Sequence, residues 1–368
     1  MPNPFYYGGY IKDPSQFVGR SWELRQIFSL LDIAQTGQLQ SISIVGPRRI
    51  GRSSLLYHVV RVCRQYLTAP DRYLFALLDL ESGRYTTLPD LLGGIVQELS
   101  RGVPLTHGRG ARSAYSVLDR VNHLVTSKKG ITLPVFTEAI EALSELPGPR
   151  RWPVVCLDEF EQLIEDPYRE HFPEKLYDCW RALISGSHIA FVTVSQQQLK
   201  DLAAQKELTS PFFNVFTVVP LGEFTDSEAR GLLDRGRTCD WPFSDAECEA
   251  VLRMAGRHPY KLQCAGSLMY QHKVGGQPVN LRAVRKQCEY QFRAVEVRPT
   301  WWRAGSEWIR HGLWSLFRSP RYIGRLARFI GFGQDDLRNW MVGVIVLVLV
   351  ALIVLGVINW DAVLRYLK

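Results

Sequence analysis

The first 220 residues alternate short, continuously apolar runs with longer stretches in which apolar positions recur every three or four residues. The runs are SISIV (41–45), RYLFALLDL (72–80), WPVVCLDEFEQL (152–163, passing into a turn), HIAFVTVS (188–195) and FNVFTVV (213–219). Continuous rather than alternating hydrophobicity predicts strands covered on both faces, as in a parallel sheet sandwiched by helices. Helical spacing runs through RSSLLYHVVRVCRQYL (52–67) and through the stretch after FVGRSWEL. A less clearly patterned helical region follows residue 80, with a loose connection at 101–113. Residues 1–40 otherwise carry turn signals: Asn3-Pro4, Gly8-Gly9 and Asp13-Pro14.

From about Leu221 the strand pattern stops. FTDSEARGLLDRG, SDAECEAVLRMAG, HPYKLQCAGSLMYQH and NLRAVRKQCEYQFRAV all read as helices, the first two with Thr/Asp or Ser/Asp near their starts. The pattern therefore predicts an α/β domain over 1–221 and an all-α lid over 222–297. A basic segment over 298–339, a membrane-spanning helix over 340–360 and a short tail over 361–368 complete the expected order.

The chain carries a net charge of +8, and its position matters more than its size. Eight arginines against three acids lie between Arg298 and Arg338, while residues 1–297 carry only +2. Residues 341–358 hold no charge, and 18 helical residues span roughly 27 Å, close to a bilayer's hydrocarbon thickness. Trp340 and Trp360 bracket the run where interfacial aromatics sit.

Wound as a helix, residues 301–318 place Trp301, Trp302, Trp308, Ile309, Leu313 and Leu316 on one side. Arg303, Glu307, Arg310, His311 and Arg318 fall on the other, with Trp314 an exception and Phe317 on the border. After Pro320, Arg321, Arg325 and Arg328 oppose Ile323, Leu326 and Ile330. Such basic amphipathic helices are expected to lie on anionic lipid through 301–330; packing on the lid is the alternative and a nucleic-acid patch the least favoured. The arginine asymmetry around the span orients the N-terminal domain to the cytosol, at the plasma (inner) membrane. The N-terminus carries no signal-peptide pattern, and seven cysteines without a C-x-x-C pair fit free thiols in a reducing compartment.

The chemistry concentrates in GPRRIGRSSLL (46–56), which follows one strand run and opens a helix. Strand, glycine turn and helix in that order expose backbone N–H groups and a helix N-terminus to an anion. Gly46 and Gly51 permit the wrap, Pro47, Arg48, Arg49 and Ile50 form it, and Ser53 and Ser54 follow it. Ser53 would offer its hydroxyl to magnesium. A phosphate loop has lysine where this chain has Arg52, which keeps the charge but brings a bulkier, planar fork. Arg48 and Arg49 are expected to flank the loop on the surface. The second element is VVCLDE (154–159), four apolar residues and two acids at a strand tip. Asp158 suits a metal shell, and Glu159 suits a base for water.

These segments, with NPFYYGGYIKDPSQFVGR and AGRHPYKLQ, resemble the AAA-like, STAND-type branch of the P-loop ATPases, in the style of the archaeal-type ATPases. The resemblance covers residues 3 to about 290. It implies a P-loop NTPase fold that binds ATP with Mg2+, with Val18, Gly19 and Arg20 near the adenine. It also implies a lid contact through Gly256, Arg257, His258 and Pro259, which hold one more residue between glycine and proline than the family's motif. A polar sensor is implied at the fourth strand's end, where Ser195 fits and Thr193 is its rival.

Together these features point to a membrane-anchored, nucleotide-gated signalling switch with slow or absent hydrolysis. A non-enzymatic scaffold tethering a protein partner, or self-associating, is the competing reading. A nucleic-acid loader ranks last, because no winged-helix pattern follows the lid.

Overall fold

The computed structural model describes residues 3–103, 116, 118–119, 121–123, 131–146, 148–165, 171–276 and 278–293. The expected basic segment, membrane span and tail lie outside the described residues. Among the described residues no helix is long and apolar enough to cross a membrane.

Five strands, β1 (Ser41–Val45), β2 (Tyr73–Asp79), β3 (Trp152–Asp158), β4 (Ala190–Ser195) and β5 (Phe216–Pro220), form one parallel sheet in the order β2-β3-β4-β1-β5. The order places β1 and β3 on either side of β4, so the glycine loop and the acidic strand tip open on one edge. Register fixes that edge: Val45 pairs with Ser195 and Pro220, and Asp79 with Asp158. Carboxyl ends of parallel strands are where open α/β sheets bind ligands.

Helices cover both faces. On one, α1 (Ser21–Leu31) and α2 (Arg52–Tyr66) bury Ile27, Leu55 and Val59 against Ile42, Ile44 and Val192. On the other lie α3 (Leu88–Arg101), α4 (Leu133–Ser144), α5 (Glu174–Ser185) and α6 (Leu199–Gln205). Their core holds Phe136, with Trp180 and Phe191 packed around Phe212. The sequence pattern did not single out α4 or α5. The fifth strand also begins later than its apolar run, because Pro211–Asn214 folds as a 3-10 turn that inserts Phe212 into the core.

After β5 the described residues form helices: α7 (Asp226–Arg237), α8 (Asp245–Ala255), α9 (Pro259–Lys273) and α10 (Leu281–Phe292). Capping boxes Thr225/Glu228 and Ser244/Glu247 start the first two, satisfying N–H groups that the helix itself leaves open. In α9, residues Leu262 to Tyr270 are all buried, which makes it the lid's central helix. Phe5, from the N-terminal segment, completes this core by stacking on Phe243 at 5.6 Å. All seven cysteines are free.

Candidate nucleotide-binding site

β1 delivers the chain into the glycine loop under tight constraint. The Gly46 N–H donates to the Ser195 carbonyl at 3.2 Å, and the Leu221 N–H donates to the Val45 carbonyl at 2.7 Å. A Cβ on Gly46 would lie 2.5 Å from the Leu221 carbonyl oxygen, so no other residue fits there. Arg49 (φ 61°) and Gly51 (φ 100°) take left-handed conformations on either side of buried Ile50, the alternation that turns successive N–H groups toward an anion. Helix α2 then opens at Arg52 with no side-chain cap on its N-terminus. Those N–H groups remain available to phosphate oxygens.

Facing the loop are the strand-end carboxylates. Asp158 is buried, and burial pushes its carboxyl up to about 6; a side-chain hydrogen bond from Ser53 opposes that shift, and Glu159 and Asp79 add to it. Glu159 sits in the left-handed region (φ 51°), an uncommon conformation for a side-chain-bearing residue, and its N–H donates to Asp158 Oδ1. Its carboxyl is raised by burial, with Arg52 pulling the other way. The Ser53 hydroxyl paired with one carboxylate is the sparse oxygen donor set that suits Mg2+, which keeps most of its waters and takes few protein ligands. Among the described residues no group of three or more His, Cys, Asp or Glu is arranged to hold a metal by itself.

Arg52 does not extend freely into the loop. Its Nη2 lies 3.1 Å from Glu159 Oε1, and its Nη1 lies 3.6 Å from Glu161 Oε1. The second distance is an ion pair without a hydrogen bond, and both Arg52 Nη1 and Glu161 Oε2 are buried without hydrogen-bond partners. Glu161 is in turn tied to β4 by accepting from the Gln196 N–H.

Arg20 is held differently. Its N–H donates to Glu228 of α7, its Nη1 meets Glu23 at 3.0 Å, and its Nη2 donates to the carbonyls of Ile50 (3.0 Å) and Gly222 (2.7 Å). The guanidinium also lies 4.7 Å from the Phe224 ring centroid. Arg20 lines the cavity, but its head is committed to the junction of loop, last strand and lid. Gly19 (φ 74°) permits that junction, since a Cβ there would lie 2.9 Å from Glu228 Oε1.

Residues 6–11 pass over the loop as a strap. The Tyr6 N–H donates to Gln263 of α9, and the Ile11 N–H donates to Ser54 Oγ at 3.0 Å. Strap, loop and lid enclose a cavity of about 330 Å³, the size of a small-ligand site. Tyr7, Tyr10, Phe17 and Val18 supply apolar surface to its lining. Arg49 lies over the ring of Tyr260 at 4.4 Å, and Tyr7 meets the same ring edge-on at 5.9 Å.

The cavity lining brings together Arg20, Arg48, Arg49, Ile50, Gly51, Arg52, Ser53, Ser54, Glu159 and Pro259. Arg48 and Arg49 are exposed, as their surface placement anticipates, yet Arg49 reaches the lid through Tyr260. Pro259 begins α9. Ser195 stands apart from this lining: its hydroxyl is fully buried and donates to the Gln197 carbonyl at 2.6 Å. Its rival Thr193 is equally buried, with an unpartnered hydroxyl within the sheet. Sequence reading also missed Glu161, Tyr260 and Gln263. Glu161 stands three residues after Asp158 in plain view, but only the 3-10 turn Phe160–Leu163 aims it at Arg52.

Comparison with known proteins places this geometry. The family model Novel STAND NTPase 2 matches residues 134–285, which include the acidic strand and the lid but not the glycine loop. No curated protein sequence matches the chain significantly. Among solved structures, the Walker-type ATPase PABY2304 of Pyrococcus abyssi is similar with a TM-score of 0.52 at 15% identity, over 91% of each chain. The Aeropyrum pernix ORC2 protein, solved as ADPNP–ADP complexes, is similar with a TM-score of 0.55 at 16% identity, over 78% of this chain and 71% of that one. At such identities the likeness establishes the fold. The family match falls on the acidic strand and the lid, the fold sets the glycine loop beside them, and together they make the chain similar to the STAND-type, AAA-like P-loop NTPases.

Proposed function

We propose that the chain is an ATP-binding switch in which the lid reports the occupancy of the phosphate loop, and in which hydrolysis is slow or absent. The observation that carries this reading is the Arg52–Glu159 pair: the cation meant for phosphate and the carboxylate meant for water neutralise each other at 3.1 Å. The loop's N–H groups and the helix start would take the phosphates, and the apolar surface at Tyr7, Tyr10 and Phe17 would take the base. Ser53 and Asp158 would hold Mg2+, which supplies neutralising charge to phosphate oxygens. Glu159 would orient water only once Arg52 has left it, and phosphoryl transfer depends almost wholly on such positioning. Arg20 and the strap tie loop to lid, so a shift in the loop is felt in α7 and α9.

The same reading places the switch at a membrane. Residues 340–360 would span the plasma (inner) membrane, residues 301–330 would lie on anionic lipid, and residues 1–297 would face the cytosol, with a protein partner or a second copy receiving the signal. The support is the sequence pattern of that segment.

Two measurements test these halves separately. Purified full-length protein should carry or bind ATP with Mg2+ and turn it over slowly; a protein that binds no nucleotide defeats the switch. In right-side-out vesicles an external protease should spare residues 1–297, and digestion of that domain would refute the orientation.

A further inference from the structure

We infer that Glu161 is a positioning residue that holds Arg52 in a carboxylate-bound resting state, from which incoming phosphates must draw it. The inference rests on the nucleotide-binding reading of the cavity.

Three observations carry it. First, the two carboxylates that share Arg52 are unequal. Glu161 is fixed, with a side chain 6% exposed on a turn whose Phe160 and Leu163 are core residues, and the Tyr177 hydroxyl donates to the Leu163 carbonyl at 3.0 Å. Glu159 is looser, with a side chain 24% exposed at a left-handed position. Second, the hold is incomplete. Arg52 Nη1 and Glu161 Oε2 stay buried and unpartnered, and the contact between their groups is 3.6 Å. A buried donor without an acceptor is costly, so an added acceptor at Nη1 is favoured. Phosphate oxygens are strong acceptors for a guanidinium fork. Third, Glu161 also binds the Gln196 N–H at the end of β4, whose Ser195 carbonyl accepts from Gly46. The residue therefore joins the acidic edge to the strand that braces the loop.

The two states differ in who owns the guanidinium. In the resting state Arg52 is neutralised by Glu159 and Glu161. In the bound state the phosphates take the fork, and Glu159 is freed toward water. Lysine in this slot has one compact charge and no planar fork, so it lacks the two separate nitrogens that face Glu159 and Glu161 here. That explains why arginine here sets a threshold for occupancy rather than merely replacing lysine.

The test is a double-mutant cycle on the full-length chain with Glu161→Gln and Arg52→Ala, read by ATP binding and, without nucleotide, by thermal unfolding. Glu161→Gln should tighten ATP and inorganic tripolyphosphate alike by about tenfold, and in the Arg52→Ala background the gain should shrink to about twofold or less. Glu161→Asp, which keeps the charge but withdraws it, should give an intermediate gain and covers the case in which the glutamine variant folds poorly. An equal gain in both backgrounds would mean simple removal of negative charge, and it would overturn the inference. Weaker binding in Glu161→Gln would mark a merely structural residue. Unfolding midpoints without nucleotide should be non-additive, and additivity would show that the pair does not form. If the midpoints are coupled while none of the four proteins binds ATP or tripolyphosphate, both the phosphate-operated release and the nucleotide reading fall. If wild type binds and Glu161→Gln does not tighten, only the present inference falls.

Discussion

Two arginines flank the same glycine loop, buried almost equally, with Arg20 at 3% and Arg52 at 4% exposure. Their partners separate them. Arg20 spends its guanidinium on two backbone carbonyls, a glutamate and an aromatic ring. Carbonyls neither titrate nor leave, so the hinge between loop and lid is fixed. Arg52 is held by two carboxylates whose protonation is already favoured by burial, and one of its nitrogens has no hydrogen bond. A cation held in that way can be exchanged. Burial alone does not tell a structural arginine from a functional one; the completeness of its hydrogen bonding does.

The largest break in this comparison should come from Arg20→Ala. It strips partners from Ile50, Gly222 and Glu23 at once, and loss of a buried, fully bonded cation costs about 3–5 kcal/mol. Denaturant unfolding should show that loss, whereas removing the exposed Arg64 of the Arg64–Asp71 pair should cost about 0–0.5 kcal/mol. Similar costs for the two would erase the distinction drawn here.

Arg52→Ala should be milder in stability, because Glu161 can take up a proton when its partner goes, but it should weaken ATP binding by about 10- to 100-fold. Arg52→Lys should keep binding and raise turnover, since lysine lacks the two-nitrogen fork that faces both glutamates. A measured fall in turnover for Arg52→Lys would mean that the arginine is not a brake.

Within the acidic edge, Glu159→Gln should abolish residual hydrolysis with ATP still bound, because the carboxylate acts on water. Asp158→Ala should instead reduce the magnesium-dependent part of the affinity by about tenfold. Matching phenotypes would count against separate roles.

The last effect is a pH dependence. Asp158 has a carboxyl raised from its ordinary 3.8 to about 6, chiefly by burial. The folded protein therefore holds that proton more tightly than the unfolded chain. The resulting stability is fully present below about pH 4 and is lost as pH rises through about 6. Asp158→Asn should accordingly stabilise the nucleotide-free protein by about 1–3 kcal/mol above pH 6, a gain that vanishes near pH 4. A gain independent of pH would point to packing instead of charge.

Much of this was legible in the chain. The strands announce themselves because a sheet covered on both faces needs unbroken apolar runs, and SISIV and WPVVCLD supply them. Gly46 and Gly51 were legible because backbone demands of a phosphate loop admit few residues. Helices α4 and α5 were not singled out. The direction of the Ser195 hydroxyl was not legible, because a strand-end position does not fix where a hydroxyl points; the following turn offers it the Gln197 carbonyl.

What the sequence determined by itself, then, was local: period, turn chemistry and the residue types at the loop and the strand tip. Tertiary structure alone decided which charges meet. Arg52 and Glu161 are 109 positions apart, and only the strand order that sets β4 between β1 and β3, with the 3-10 turn after β3, brings them together. Nothing in the chain likewise shows that Arg20, placed near the adenine by resemblance, is held between Ile50, Gly222 and Glu228. A side chain's type is written in the chain, but its partners are set by long-range packing, and it is the partners that separate a latch from a lock.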